Sequence, residues 1–91
     1  MFILVSYDIV DNKIRSKVAN ALKNYGTRVQ YSVFECILEG NRIKKMVEAV
    51  NKIIDMEKDS VRIYQLCDGC LKKTQVCGIG EITEDRDMFI V

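Results

Sequence analysis

Asp8 is the residue of this sequence best placed to do chemistry. It lies near the end of residues 2–9, a mostly apolar run rich in β-forming residues that predicts a strand buried on both faces. A carboxylate at the end of a strand can face a cleft and bind a hard cation such as Mg²⁺. One carboxylate does not make a metal site, but a second Asp8 from a two-fold related copy of the chain would complete it. The structural alternative is that Asp8 caps the following helix or accepts backbone N–H groups.

Histidine is absent from the 91 residues of the chain. A Ser-His-Asp triad, a Cys-His pair and a histidine-ligated zinc site are therefore excluded within one chain. Any acid–base or metal chemistry must use carboxylates, lysines, tyrosines or thiols.

Basic side chains are concentrated in the first third of the chain. The overall net charge of +1 argues against a protein that coats nucleic acid by bulk charge. Residues 1–34, however, hold five basic and two acidic side chains, a net charge of +3, whereas residues 35–91 carry −2. This basic excess lies beside the end of the first strand and on the outer face of the next helix, where it could contact phosphates. A solvated helix face is the alternative. The five basic residues are Lys13, Arg15, Lys17, Lys23 and Arg28.

The four cysteines allow three interpretations. Cys67, Cys70 and Cys77, with Cys36 as a fourth ligand, resemble part of a thiolate zinc site, but the sequence contains only one closely spaced pair. The same pair could form a disulfide or a redox couple. Inert thiols are the third interpretation, and we favour it.

Three aromatic residues of the strand regions, Tyr7, Tyr31 and Phe34, could stack on nucleobases. Aromatic side chains on strands more often belong to the core, so a core position is the first expectation for each. Their exposure in the folded chain distinguishes the two roles.

Apolar periodicity divides the remaining chain into helices and strands. Asp11 or Asn12 caps a first helix, whose apolar stripe continues to Tyr25 before Gly26 ends it. An apolar seam at three- and four-residue spacing predicts a second helix over residues 41–56. Alternating apolar and polar residues predict further strands over residues 27–38, 60–67 and 74–79.

These elements predict an α+β domain over residues 1–80 with the ferredoxin-like layout, a four-stranded antiparallel sheet with both helices on one face. A bend at Glu35 and Cys36, or pairing across the second helix, accommodates the long second strand. Residues 81–91 form an acidic C-terminal extension whose last four residues are apolar and suit an edge strand added to a partner's sheet. Because a domain of this size buries only roughly 60–65% of its unfolded surface, a partner chain would help to stabilise it, and we expect the chain to oligomerise.

The start of the chain has neither a basic segment nor a small-residue cleavage site of the kind found in signal peptides. Its apolar stretches are far shorter than the about 20 residues that span a bilayer. We therefore expect a cytoplasmic protein with no membrane contact, whose thiols are reduced.

Three blocks of sequence resemble the CRISPR-associated protein 2 family, the small subunit of the spacer-acquisition machinery. They are Val-Ser-Tyr-Asp-Ile at residues 5–9, Arg-Val-Gln-Tyr-Ser-Val-Phe-Glu at residues 28–35 and Asp-Ser-Val-Arg-Ile-Tyr at residues 59–64, with a basic helix after the first. The resemblance implies a ferredoxin-like homodimer whose C-terminal strand is added to the partner's sheet. It also implies association with a dimeric integrase, CRISPR-associated protein 1, and Mg²⁺-dependent endonuclease activity on single-stranded RNA or on DNA.

The resemblance also implies roles for individual residues. Asp8 matches the family's metal-binding acid and Tyr7 its neighbour, while Arg15 and Arg28 match basic positions near that acid; these four are the implied catalytic residues. In the implied mechanism, paired Asp8 carboxylates hold Mg²⁺, which activates a water for phosphodiester hydrolysis, and the basic residues stabilise the transition-state charge.

Nucleic-acid contacts are implied on the first helix and the second strand. Basic positions lie near the acid, and two residues of the second-strand motif line the same cleft. The predicted contact set is Lys13, Arg15, Lys17, Arg28, Ser32 and Phe34.

Three roles follow from these observations. The first is a metal-dependent nuclease centred on Asp8, and the second is a non-catalytic dimeric scaffold that bridges integrase dimers and binds prespacer DNA. The third is a ferredoxin-like protein of the related toxin type, which acts on RNA without the adaptation partner. Phosphate contacts do not decide between RNA and DNA.

Overall fold

The computed structural model describes residues 1–84. Four strands and three helices form this part of the chain, in the order β1 Phe2–Asp8, α1 Asn12–Leu22, β2 Gly26–Gln30, β3 Val33–Ile37, α2 Gly40–Ile53, β4 Ser60–Leu66 and α3 Asp68–Lys72. None of these helices combines the length and the apolarity that crossing a membrane requires.

The four strands form one sheet in the order β2-β3-β1-β4, and each pairing is antiparallel. β1 therefore lies inside the sheet, with β3 on one side and β4 on the other. Phe2, for example, pairs with Ile37 of β3 and with Leu66 of β4. The predicted α+β fold with a four-stranded antiparallel sheet is confirmed.

Alternate residues of β1 face the core. Ile3, Val5 and Tyr7 are buried against the two long helices, and Phe34 of β3 is completely buried beside them. Both α1 and α2 contribute to this single core, which places them on the same face of the sheet. The helical members are Val18, Ala19, Leu22, Met46 and Val50.

The opposite side of the sheet faces away from α1 and α2, and we call it the open face. Because strand residues alternate, it carries Leu4, Ser6 and Asp8 of β1. The register places residues of β3 and β4 beside them on the same side. These neighbours are Val33, Glu35, Ile37, Ser60, Arg62, Tyr64 and Leu66.

Asp11 caps α1, as one of the two sequence alternatives predicted. Its carboxylate accepts a hydrogen bond from the backbone N–H of Ile14 at 2.9 Å. This bond lowers the pKa of Asp11, because it favours the charged form. The expected end of the helix at Gly26 is wrong: α1 ends at Leu22, and Gly26 is the first residue of β2.

The predicted long strand over residues 27–38 is two strands, and its break is not at Glu35 and Cys36. Tyr31 and Ser32 form a two-residue turn, after which Val33 pairs back with Gln30. Both Phe34 and Cys36 then face the core from β3, while β2 becomes an edge strand. The hairpin supplies the fourth strand that we had expected from residues 74–79.

The strand prediction for residues 74–79 is wrong. These residues have neither helical nor strand structure, and their apolar side chains Val76 and Ile79 are exposed. Gly78 and Gly80 have positive φ angles of 86° and 145°, which an extended strand does not allow. The predicted loop before this segment contains the short helix α3. The predicted exchanged strand at residues 88–91 lies outside the described residues.

Gly26 is held in the narrowest space of the hairpin. A Cβ atom at this position would collide with the Sγ atom and the backbone of Cys36 and with the carbonyl oxygen of Glu35. At Gly40, by contrast, a Cβ atom would meet nothing within 4 Å.

We therefore expect Gly26→Ala to lower the free energy of unfolding by about 1–3 kcal/mol, because β2 and β3 must move apart. Gly40→Ala is the matched control and should leave stability unchanged or slightly higher, since alanine is the better helix former. Urea denaturation followed by circular dichroism measures both. Equal midpoints for the two variants would contradict the close approach at Gly26.

The cysteines differ in their environments. Burial in β3, with a smaller effect of the Glu35 carboxylate, raises the pKa of Cys36 to about 11. Cys67 is exposed at the start of α3, where its Sγ atom accepts a hydrogen bond from the N–H of Cys70, and this bond lowers the pKa of Cys67. The thiol of Cys67 raises the pKa of Cys70 in turn.

We expect Cys67 to react first with a thiol reagent near pH 8, since the thiolate is the reactive form. Cys36 should react only after unfolding, because it is both buried and protonated at that pH. Timed labelling with mass spectrometry identifies the order. Cys67→Ser should abolish the fastest phase of labelling, whereas Cys77→Ser should leave that phase unchanged. Rapid labelling of Cys36 in the native protein would contradict the expected order of reactivity.

Candidate nucleic-acid interface

Asp8 and Tyr7 lie next to each other in β1 but face opposite sides of the sheet. Tyr7 is only 4% exposed, belongs to the core, and donates a hydrogen bond from its hydroxyl to the carbonyl oxygen of Tyr31 at 3.3 Å. The carboxylate of Asp8 is exposed at the end of β1. The structure therefore brings Asp8 to a surface and holds the side chain of Tyr7 away from it.

The carboxylate of Asp8 lies in a cleft of about 270 Å³ that is lined by residues of β1 and of its neighbour β4. Ser60 is its partner across the ladder. The capping role considered for Asp8 is taken by Asp11, so that interpretation is wrong. The cleft is lined by Ser6, Tyr7, Asp8, Ser60, Arg62 and Tyr64.

Within residues 1–84, no three of the aspartate, glutamate and cysteine residues are grouped closely enough to hold a metal ion. Cys67, Cys70 and Cys77 are thus not brought together as a set of zinc ligands, and Cys36 is buried in β3. Asp8 offers one exposed carboxylate. Mg²⁺ is commonly held by one or two carboxylates together with waters and substrate phosphates. Asp8 fits such a site when a second chain and a phosphate supply the other ligands.

Arg15 is fixed at the point where β1 ends. Its Nη1 atom donates to the carbonyl oxygens of Ile9 and Val10, at 2.9 and 3.3 Å, and its Nη2 atom donates to the side chain of Asn12. Ile9 directly follows Asp8, so the guanidinium group is attached to the backbone segment that carries the acid. The carboxylate of Asp8 and the guanidinium group of Arg15 line different clefts, so their joint action on one phosphate stays a prediction.

Arg28 is fixed by the β2–β3 turn. Its Nε atom donates to the carbonyl oxygen of Tyr31 at 3.0 Å, and its Nη2 atom donates to the same oxygen. The ring of Tyr31 lies beside both arginines: the Cζ atom of Arg28 is 5.2 Å from the centre of the ring, and the Cζ atom of Arg15 is 5.5 Å from it. Both distances are within the range of cation–π attraction.

These residues line a groove of about 410 Å³ between α1 and the β2–β3 turn, which we call the basic groove. Its cations are Arg15, Lys23 and Arg28, and no carboxylate lines it. Helical spacing of three and four residues places the polar side chains of α1 along one wall. The full lining is Asn12, Arg15, Ser16, Ala19, Asn20, Lys23, Arg28 and Tyr31.

Other predicted contact residues lie elsewhere. Lys13 and Lys17 are exposed on α1 but do not line the basic groove. Ser32 is half-buried in the turn, and Phe34 has 0% exposure in the core. The ring of Phe34 is therefore not available for stacking in this conformation.

Tyr31 was not in the contact set predicted from the sequence. Its aromatic character was the only sequence signal, and that signal was shared with Tyr7 and Phe34, both of which are core residues. The two-residue turn, which no glycine or proline marks, is what exposes Tyr31.

The C-terminal part of the described chain returns to the open face. Thr83 donates two hydrogen bonds to one carboxylate oxygen of Glu35, from its backbone N–H at 3.0 Å and from its hydroxyl at 2.7 Å. Residues 80–84 thereby line a trough with Thr27 and Val29 of β2. The start of the predicted extension thus contacts the sheet of its own chain.

Comparison with known proteins agrees with this architecture. The model of the family described as CRISPR associated protein Cas2 matches residues 1–74. The CRISPR-associated endoribonuclease Cas2 3 of Chloroflexus aurantiacus is 44% identical over 91 residues, which cover 100% of this chain and 98% of that protein.

Solved structures show the same fold. Cas2 of Streptococcus pyogenes, crystallised at pH 6.5, superposes with a TM-score of 0.77 and 32% identity, covering 86% of this chain and 100% of that chain. A chain of a partial Cas6-RT-Cas1–Cas2 complex superposes with a TM-score of 0.74 and 29% identity, covering 82% of this chain and 88% of that chain. With the family match over most of its length and this shared fold, the chain belongs to the Cas2 family of CRISPR-associated proteins.

Proposed function

We propose that this chain acts in CRISPR adaptation as a homodimer that binds nucleic acid in the basic groove and hydrolyses phosphodiester bonds at Asp8. The observation that carries the proposal is the exposed Asp8 carboxylate, one residue before the carbonyl oxygen that fixes Arg15. An acid and a guanidinium group held on one short backbone segment suit a phosphodiester. The names of relatives such as the Chloroflexus aurantiacus endoribonuclease support a nuclease.

The open face supports the homodimer. It exposes or half-exposes Leu4, Ile37, Tyr64 and Leu66 on the side of the sheet that faces away from α1 and α2. A second copy packed on this face would bury these side chains, and a two-fold axis through it would bring the two Asp8 carboxylates toward each other. Two carboxylates, rather than one, then face a bound phosphate.

The chain's own residues perform defined parts of the reaction. Asp8 would hold Mg²⁺, which when bound polarises the phosphate and lowers the pKa of a coordinated water. Arg15 and Arg28 bind the phosphates on either side of the bond that is cleaved. They also stabilise the negative charge that develops on the reacting phosphate in the transition state. Tyr7 contributes from the core, by holding the Tyr31 carbonyl oxygen that Arg28 also uses.

A non-catalytic scaffold is the second candidate function, and one observation favours it. The basic groove is lined by residues of a single chain, whereas Asp8 is the one carboxylate among residues 1–84 that lines its own cleft. Binding of prespacer DNA can therefore occur without any cleavage. Similarity to a chain of a Cas1–Cas2 complex supports association with the integrase, CRISPR-associated protein 1, in either role.

Asp8→Asn should reduce Mg²⁺-dependent cleavage of single-stranded RNA or duplex DNA about 100-fold or more, because the amide is a poor Mg²⁺ ligand. Binding of the same substrates in EDTA should not weaken. Glu48→Gln, an exposed acid on α2, is the matched control and should cleave normally. Cleavage by Asp8→Asn at the original rate, with the variant folded and dimeric, would refute the nuclease. Normal spacer integration by the same variant together with its integrase would then favour the scaffold.

Charge reversal at Arg15 or Arg28 should weaken nucleic-acid binding at least about 10-fold and reduce its salt dependence by about one phosphate contact for each residue. Lys45→Glu, which makes the same charge change at an exposed position of α2, should have a much smaller effect. Fluorescence anisotropy over a range of salt concentrations measures both quantities. Equal losses in all three variants would mean that only the net charge of the chain matters.

A further inference from the structure

Tyr31 has a large exposed ring that the fold does not need. Its side chain is 68% exposed, more than the 44% of Tyr64, and it does not belong to the core cluster. Its backbone, in contrast, is essential to the site, because its carbonyl oxygen accepts the hydrogen bonds of Tyr7 and Arg28. The ring and the carbonyl group of one residue therefore have separate roles.

The two arginines beside the ring are also held by backbone carbonyl oxygens, which a change of the ring would leave in place. Arg28 is held by the Tyr31 carbonyl oxygen, and Arg15 by the carbonyl oxygens of Ile9 and Val10. These bonds use the Nε and Nη2 atoms of Arg28 and the Nη1 atom of Arg15. The Nη1 atom of Arg28 and the Nε atom of Arg15 are left to meet a ligand.

The basic groove thus contains an exposed aromatic ring, three cations and a wall of neutral polar side chains. A phosphate alone would need only the cations. The combination of a ring with flanking guanidinium groups is the arrangement by which proteins hold single strands, since a base can stack on the ring while its phosphates meet the cations. A volume of about 410 Å³ lies within the range of small-ligand sites and leaves room for the base.

We propose that Tyr31 stacks on one unpaired nucleobase and that Arg15, Lys23 and Arg28 hold the adjacent phosphates, which makes the basic groove selective for single-stranded nucleic acid. Bases inside a duplex have both faces covered by their neighbours, so they cannot use the ring. The inference rests on the proposed function only in placing nucleic acid in the basic groove. It requires neither Asp8 nor cleavage.

The test is a comparison of Tyr31→Leu with Tyr31→Phe, measured as binding affinity in EDTA. Leucine keeps apolar bulk but removes the ring, whereas phenylalanine keeps the ring and removes only the hydroxyl. Both variants leave the carbonyl oxygen that fixes Arg28, and Tyr31 is outside the core cluster, so the fold should persist. Thermal unfolding checks this. The probes are a single-stranded oligonucleotide, the same strand with abasic sugars throughout, and a covalently closed duplex circle, which has no terminal base pair.

Tyr31→Leu should weaken binding of the single strand about 5- to 100-fold, the range of losses measured when one stacking aromatic residue is removed. Tyr31→Phe should bind it within about two-fold of the original protein, as expected when the ring remains. Neither variant should change binding of the abasic strand or of the duplex circle.

Two outcomes would overturn the proposal. Equal weakening of all three probes by Tyr31→Leu would mean that the ring only orients the arginines, and unchanged binding of the single strand would mean that no base stacks there. The proposed nuclease activity is tested separately: normal cleavage by Asp8→Asn would refute it. Loss of single-strand binding by Tyr31→Leu would still support base stacking in that case, because the binding measurements involve no cleavage.

Discussion

The alternation of side chains along β1 is the constraint on which the rest of the structure depends. The strand is hydrogen-bonded to β3 on one side and to β4 on the other, so its register is fixed by two ladders at once. A slip of one residue would turn Val5 and Tyr7 out of the core and turn Ser6 and Asp8 into it. A buried carboxylate without a partner costs far more than any contact that Asp8 makes at the surface. Asp8 is therefore exposed because its neighbours must be buried.

Backbone carbonyl groups connect this core to the basic groove. The carbonyl oxygen of Tyr31 accepts a hydrogen bond from Tyr7 on the core side and from Arg28 on the solvent side. The carbonyl oxygen of Ile9, a core residue, holds Arg15. Each arginine thus loses part of its side-chain freedom when the protein folds and not when it binds. Binding a phosphate then costs less conformational entropy, because the cations are already in position.

The Asp8 cleft and the basic groove differ in how many of their functional groups come from one chain. One chain provides the lining of the basic groove, but among its described residues no carboxylate other than Asp8 lines the cleft of the acid. The open face, where residues 80–84 contact Glu35 and β2, still has half-exposed apolar residues such as Leu4 and Ile37. Both facts favour a second copy. Under the proposed function, they would also separate binding, for which one chain has the groove, from cleavage, for which a second chain would complete the site.

The sequence by itself determined the elements whose periodicity is local. β1, the Asp11 cap, α2 and β4 were predicted because apolar spacing and capping chemistry are readable over a few residues, and Asp8 was identified because it ends an apolar strand. The tertiary structure decided where the run over residues 27–38 divides. The turn at Tyr31 and Ser32 has no glycine, and the described chain has no non-glycine residue with positive φ, so no local signal marks it. Its place is set by Phe34 and Cys36, which reach the core only if the chain reverses before them. The same reversal exposes Tyr31 beside Arg15 and Arg28. This grouping depends on packing across the sheet, and no spacing along the chain encodes it.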